Sequence, residues 1–190
     1  MIADYLAIEN AGLLLREAMP SAPVPSLLLP EAIDGAVAAD LRARLDAAGT
    51  TAFDLADRGR YRHNDALRID PLWDELTGFA AGVAGPGATV TLAAVRWLRL
   101  GRGDYSLVKD DTRTRPAGPH LELVLDLSPG TSGEAELVYT DGLATLGVPQ
   151  IAGLLAVVDR TATSTRYQRP PTVRGLGGIE IARVILSFVR

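Results

Sequence analysis

Apolar positions divide the chain into a first half with helical periodicity and a second half in which apolar and polar residues alternate. In the first half, hydrophobic residues recur every three to four positions in three segments. This spacing predicts helices from Met1 to Met19, from Pro30 to Ala48 and from Pro71 to Val83. Two further stretches of this half, Leu27 to Leu29 and Thr50 to Asp57, are predicted to be strands.

The second half of the chain has the pattern of short β-strands separated by turns. The four leucines of residues 121–127 fall on one face of a predicted strand, and residues 104–111 are predicted to form a short strand that runs into a charged loop. We therefore predict an α+β fold with a mainly β core. Residues 1–85 would form a mostly helical support and residues 90–190 a sandwich or barrel. Residues 1–190 are expected to be a single domain.

Composition narrows the functional classes. The 190 residues are 47% hydrophobic and 22% charged, which is typical of a globular protein. The net charge of −4 lacks the basic excess typical of nucleic-acid binding, so no nucleic-acid partner is expected. The absence of cysteine excludes disulfides and thiolate chemistry, and it fits a reducing compartment. Because no apolar run is long enough to cross a membrane and Asp4 and Glu9 precede the first apolar run, we expect a cytoplasmic protein without a membrane partner.

The segment from Leu98 to Tyr139 carries the most informative pattern. It contains the stretches LRLGRGDYSLVKDD and LELVLDLSPGTSGEAELVY, and an upstream stretch, LLLPEAIDGAVAADLRARL, is typical of a strand followed by a helix. In order and spacing these segments resemble the prolyl-4-hydroxylase-like branch of the Fe(II)/2-oxoglutarate-dependent oxygenases. The resemblance implies a double-stranded β-helix, the jelly-roll or cupin-like fold, with N-terminal helices packed on one sheet.

The resemblance also implies a metal site that this chain does not reproduce. In that family two histidines and one carboxylate bind Fe(II). The first histidine falls at Lys109, the carboxylate at Asp111 and the second histidine near Thr165 or Arg166. Because a lysine ammonium has no lone pair and repels a divalent cation, we predict a degenerate metal site and favour no cofactor. On this interpretation Lys109 and Asp111 form an ion pair and are the candidate catalytic residues of a metal-independent reaction.

The two histidines of the chain leave an alternative ligand set open. His120 and Glu122 are two positions apart on a predicted strand and share one of its faces. Together with Asp111 and His63 they could hold Fe(II) in an active hydroxylase that uses 2-oxoglutarate. His63 lies in the polar segment 58–70, and the other interpretation of His63 is a histidine in a surface loop.

The resemblance also implies a small-molecule ligand that carries a carboxylate. Arg183 lies in the last predicted strand, where the family has the basic residue that binds the carboxylate of 2-oxoglutarate. Arg166 and Tyr105 are further candidates for contacts with a small carboxylate-bearing molecule. The alternative for Arg183 is a position on the solvent face of an edge strand.

Three functions are consistent with these features of the sequence. The first is an oxygenase-like protein without iron that binds a small carboxylate-bearing molecule and possesses, at most, metal-independent chemistry. The second is the hydroxylase with atypical ligands, and the third is a non-catalytic scaffold or interaction subunit, for example a homodimer. Convergence of Lys109, Asp111, Arg166 and Arg183 in one enclosed pocket would favour the first function over the third.

Overall fold

The computed structural model describes residues 16–19, 24–65, 72–169 and 180–190, apart from the side chains of residues 133–135. Residues 16–19 are helical, and the other ranges contain eleven strands and three helices. In chain order these are β1 (Ser26–Leu29), α1 (Gly35–Ala47), β2 (Thr51–Leu55), β3 (Gly59–Asn64), α2 (Leu72–Ala84), β4 (Thr91–Leu100), β5 (Tyr105–Ser106), α3 (Val108–Thr114), β6 (His120–Asp126), β7 (Ser132–Thr140), β8 (Thr145–Gln150), β9 (Leu155–Arg160), β10 (Thr165–Gln168) and β11 (Ile181–Val189).

The strands form one antiparallel sheet in the order β1-β9-β6-β11-β4-β3-β5-β10-β7-β8, and β2 pairs with β3. Side-chain contacts link strands that are far apart in this order. Tyr139 on β7 donates a hydrogen bond to Glu122 on β6 (2.8 Å), and Arg183 on β11 donates to the Val148 carbonyl on β8 (3.3 Å). The sheet therefore curls around a shared interior, which confirms the predicted jelly-roll-like, mainly β fold.

The central part of the sheet is buried on both faces. On β6, Leu121, Leu123 and Leu125 pack towards the helices, whereas Glu122 and Val124 face the barrel interior. Each leucine on the helix side contributes about 1.5–3 kcal/mol through burial of its apolar surface. The helix-side core also includes Leu41, Leu45, Trp73, Leu76, Trp97 and Phe188.

Helix α1 begins five residues after the predicted start at Pro30. Asp34 is its N-cap residue, and one carboxylate oxygen accepts hydrogen bonds from the amides of Ala36 (2.8 Å) and Val37 (3.4 Å). A capping carboxylate satisfies amides that have no partner within the helix. Pro30 instead lies in the turn that leads from β1 towards the helix.

Two further assignments differ from the sequence predictions. The polar segment 58–70, in which a surface loop was one interpretation of His63, contains the strand β3, where buried Tyr61 alternates with exposed Arg60 and Arg62. This strand is hydrogen-bonded to β2 along one edge and to β4 and β5 along the other. The charged end of segment 104–111 is not a loop, since it forms the first turn of α3.

The first half of the chain contributes to the sheet as well as to the helix layer. Residues 24–65 supply β1, β2 and β3, so this half is more than a helical support. Of the predicted helix from Met1 to Met19, only residues 16–19 lie within the described residues. A membrane-spanning helix, judged by length and hydropathy, does not occur in the described part of the chain.

Candidate functional site

Helix α3 carries Asp111 into the barrel interior. The helix starts directly after the short strand β5, and Asp110 and Asp111 lie in its first turn, where the helix dipole favours negative charge. The side chain of Asp111 is 2% exposed. One of its oxygens accepts the backbone amide of Arg166 on β10 (3.0 Å), which ties the helix to the strand that follows the β9–β10 turn.

Two carboxylates and two guanidiniums meet inside the barrel, and we call Asp111, Glu122, Arg160 and Arg166 the ionic quartet. Arg160 binds Asp111 in bidentate fashion, with N–O distances of 2.6 and 2.9 Å, and also reaches Glu122 (2.7 Å). Arg166 binds Glu122 (2.8 Å) and lies 3.3 Å from Asp111. Each cation therefore contacts both anions, and the formal charges of the quartet sum to zero.

Neighbouring polar groups complete the hydrogen bonding of the quartet. Besides the Tyr139 hydroxyl, Glu122 contacts His120, whose Nε2 lies 3.3 Å from a carboxylate oxygen. Burial by itself would raise the pKa of Glu122, but attraction by Arg166 and Arg160 outweighs it and holds this pKa below its usual range. Burial, reinforced by the charge of Glu122, raises the pKa of Tyr139. At neutral pH the glutamate is thus ionised and the phenol is a hydrogen-bond donor.

A second buried ion pair lies deeper along the same strands. Arg183 on β11 donates to the Asp126 carboxylate (2.9 Å), the Gln168 side-chain oxygen (3.0 Å) and the Val148 carbonyl. Asp126 is four residues beyond Glu122 on β6, so roughly 13 Å of strand separates the two ionic layers. The structure therefore assigns Arg183 to the interior and not to the solvent face of an edge strand.

The predicted ion pair between Lys109 and Asp111 is wrong. Lys109 is half exposed and pairs with Asp57, whose pKa is lowered mainly by the hydrogen bond from the lysine ammonium. Residues two apart on a helix point in nearly opposite directions, so Lys109 faces outwards when Asp111 faces the barrel. Of the four residues expected to converge, Asp111 and Arg166 meet, Arg183 lies in the second layer and Lys109 lies outside.

The alternative metal ligands are only partly brought together. Asp111, His120 and Glu122 belong to or contact the ionic quartet, but His63 lies on β3, where it pairs with Asp65 (3.1 Å). Its ring also makes an edge contact with Tyr61, which lies on the same strand. In the ranges that the structure describes, no three side chains of histidine, aspartate or glutamate are grouped so that they could hold a metal ion.

The donor chemistry of the quartet does not fit Fe(II). Both carboxylates are engaged by guanidiniums at hydrogen-bonding distance, and a dication between them would face two fixed positive charges. A guanidinium has no lone pair to offer a metal. The resemblance predicts the second histidine near Thr165 or Arg166, and in this region Arg166 supplies a cation to the barrel interior.

Tyr105 does not join the quartet. It is half-buried on β5, opposite Arg60 on β3, and none of its hydrogen bonds within the described residues reaches the quartet. A different network of α3 involves Asp110, which binds Arg58 (2.8 Å) and Arg96 (3.2 Å) on the other side of the helix. The helix is consequently anchored by two adjacent aspartates to two separate sets of arginines.

Arg160, Tyr139 and Asp126 were not among the site residues predicted from the sequence. An apolar run at residues 154–158 indicates the strand that ends at Arg160, but it does not indicate a role for its last residue. A signal was nevertheless present on β6, where Glu122 and Asp126 share the face opposite the leucines. Two acidic residues on a central strand require buried cationic partners. Arg160 is the last residue of β9 and Arg183 lies on β11, and both of these strands pair with β6.

Solved structures with the same fold support the resemblance. The chain superimposes on a Pseudomonas putida prolyl-4-hydroxylase with a TM-score of 0.69 and 12% identity, covering 94% of this chain and 98% of that one. A 2OG-Fe(II) oxygenase family oxidoreductase from Burkholderia pseudomallei gives 0.66 and 14%, covering 93% and 88%. HygX from Streptomyces hygroscopicus, solved with nickel and 2-oxoglutarate, gives 0.58 and 11%, covering 95% and 87%.

The likeness to these oxygenases, predicted from residues 98–139, is therefore confirmed at the level of the fold. No protein-family model matches the chain, and no curated protein matches its sequence. At identities between 9% and 14% the likeness concerns the fold alone.

Proposed function

We propose that this protein uses the oxygenase fold without iron and binds a small carboxylate-bearing molecule instead of oxidising one. The observation that carries the metal-free part of the proposal is the ionic quartet, in which Arg160 and Arg166 neutralise the two carboxylates that a metal could have used. Their two positive charges take the electrostatic role of a dication inside the barrel.

Binding is favoured over catalysis because the buried groups have little capacity to move a proton. Glu122 is held ionised by its arginines, the Tyr139 phenol is held protonated, and both are fully buried. A general base needs a pKa near the working pH and access to a substrate proton. Lys109 is half exposed and ion-paired on the surface, so a catalytic pair of Lys109 and Asp111 is not supported by the geometry.

The ligand carboxylate is not expected on Arg183, since Asp126, Gln168 and the Val148 carbonyl already engage that guanidinium. Two of the structural neighbours have nevertheless been solved with small molecules bound. HygX has been solved with 2-oxoglutarate and hygromycin B, and the epimerase SnoN with alpha ketoglutarate and nogalamycin RO. By analogy, a small-molecule ligand is favoured here over a macromolecular one, at a site outside the two ionic layers.

Anaerobic titration with Fe(II) and 2-oxoglutarate tests the metal-free part of this proposal. We expect neither stoichiometric iron binding nor the charge-transfer absorption that develops when 2-oxoglutarate chelates iron. The epimerase SnoN, which has been solved with Fe3+ and alpha ketoglutarate, is the positive control when treated identically. A one-to-one iron complex with that absorption would overturn the proposal in favour of a hydroxylase with atypical ligands, which His120→Ala should then abolish.

A further inference from the structure

A cavity of about 460 Å³ opens on the outside of the barrel, away from the ionic quartet. It lies where the end of α1, the β2–β3 hairpin, the β4–β5 turn and the start of β11 meet. Its volume falls within the range of about 300–1,000 Å³ that is usual for small-molecule sites. The polar and charged side chains of its lining are those of Asp46, Thr50, Arg62, Arg99, Asp104 and Glu180.

Arg62 and Arg99 lie directly opposite each other on the antiparallel strands β3 and β4. Like charges in this relation destabilise a sheet unless anions compensate them. Arg99 has such compensation, because it forms ion pairs with Asp46 and Glu180.

Arg62 differs from Arg99 because its hydrogen bonds go to uncharged oxygen atoms. Its Nε donates to the Thr50 hydroxyl (2.9 Å) and one terminal nitrogen donates to the Thr50 carbonyl (3.1 Å). Among the described residues no carboxylate lies within ion-pair distance of Arg62, although its side chain is exposed at the cavity. The guanidinium is therefore held in place by Thr50 with its charge still available to an anion.

The lining of the cavity also carries acidic groups. Asp46, Asp104 and Glu180 give three negative charges against the two positive charges of the arginines, which leaves a formal lining charge of −1. Asp104 is fixed by the Gly101 amide (2.8 Å) and by Arg60 (3.1 Å). A carboxylate has about four lone-pair sites, so each of these groups can accept a further donor.

We propose that this cavity binds a small zwitterion of the amino-acid type, with its carboxylate on Arg62 and its ammonium among the three acidic residues. A lining that offers both signs of charge recognises a molecule that carries both, and it disfavours one that carries a single charge. The inference shares with the proposed function only the assumption that the ligand carries a carboxylate. The cavity is separate from the barrel interior, where the ionic quartet would exclude iron.

Calorimetric titration of the metal-free protein, in the presence of EDTA, tests the inference with three matched probes. The probes are a panel of free α-amino acids, the corresponding N-acetyl amino acids and the corresponding amino-acid amides. At least one free amino acid is expected to bind, and its N-acetyl and amide forms are expected to bind at least about ten-fold more weakly, because each lacks one charge-assisted contact.

Two variants locate the site. Arg62→Gln removes the charge and is expected to weaken binding of the same amino acid by about ten-fold or more, whereas Arg62→Lys should fall between it and the wild type. Arg44→Gln is the matched control, because Arg44 is a half-exposed arginine on α1 that pairs with Asp40. Its affinity should equal that of the wild type, and circular dichroism would confirm that each variant is folded.

The inference fails if no amino acid of the panel binds, or if Arg62→Gln binds the free amino acid as tightly as the wild type does. Equal binding of the free and N-acetylated forms would also overturn it, because the three acidic residues would then have no role. These results are independent of the iron titration. Iron binding with intact amino-acid binding would overturn the metal-free proposal alone.

Discussion

At the scale of single residues, a buried network such as the ionic quartet contributes little net stability, whereas the loss of one of its members is costly. Transferring four charged groups from water into a barrel has a large desolvation cost, and mutual attraction only offsets it when every group keeps its partners. In the quartet each guanidinium contacts both carboxylates, so loss of one member leaves uncompensated charge in a buried site. The exposed pair between Arg169 and Glu136 carries no such penalty.

Arg160→Ala should therefore destabilise the protein strongly. The substitution leaves Asp111 and Glu122 facing one another with Arg166 as their remaining cation, and we expect a loss of about 3–5 kcal/mol in the free energy of unfolding, measured in urea. Arg169→Ala is the control and should change it by about 1 kcal/mol or less. Equal, small effects of both substitutions would mean that the quartet is hydrated and open.

The stability contributed by Glu122 should depend on pH in a defined direction. Its pKa in the folded protein is lowered below the ordinary value of 4.5, so its contribution is complete above about pH 4.5 and is lost as the pH falls towards the folded-state pKa. The difference in unfolding free energy between wild type and Glu122→Gln should shrink by up to about 2 kcal/mol between pH 4.5 and 3. A difference that stays constant over this range would contradict the assigned ionisation.

At the scale of elements, the sequence predicted strands and helices where one face is apolar and failed where both faces carry charge. The leucines of β6 revealed their face. The carboxylates on the opposite face gave no indication of their partners, because only the curled sheet brings arginines of β9, β10 and β11 against them. Strand β3 was missed because two arginines and a histidine dominate its composition. Helix α3 was missed because a helix of seven residues with one buried face is too short to show a recognisable helical repeat in the sequence.

Helix α3 should depend on Asp110 for its position. The carboxylate of this residue binds Arg58 and Arg96, and the N-cap residue Leu107 provides no side-chain hydrogen bond that could compensate for its loss. We expect Asp110→Ala to accelerate amide hydrogen exchange across residues 108–114 relative to β6. Lys109→Ala, at the adjacent half-exposed position, should leave the exchange rates unchanged, and acceleration in both variants would show that α3 is only loosely held.

At the scale of the whole molecule, the sheet separates two interiors of different chemistry. The helix-side core is apolar, and it was predictable because leucines, valines and aromatic residues repeat with the period of the elements that bear them. The barrel side combines apolar residues with two ionic layers, and its hydrogen-bond partners lie up to 65 residues apart along the chain. Fold class and helix layer were therefore accessible from local patterns, whereas the site depended on contacts that no local pattern encodes.

Substitutions at adjacent positions of β6 distinguish a packed barrel from an open one. Leu123 faces the helix layer and Val124 faces the barrel between the two ionic layers, and both are buried. Leu123→Ala should lower the free energy of unfolding by about 2–5 kcal/mol and Val124→Ala by about 1–3 kcal/mol, because each leaves a cavity in close-packed surroundings. Leu143→Ala, at a position that is 99% exposed, should be near neutral. A near-neutral Val124→Ala beside a costly Leu123→Ala would mean that water enters the barrel, and a ligand site in its interior would then have to be reconsidered.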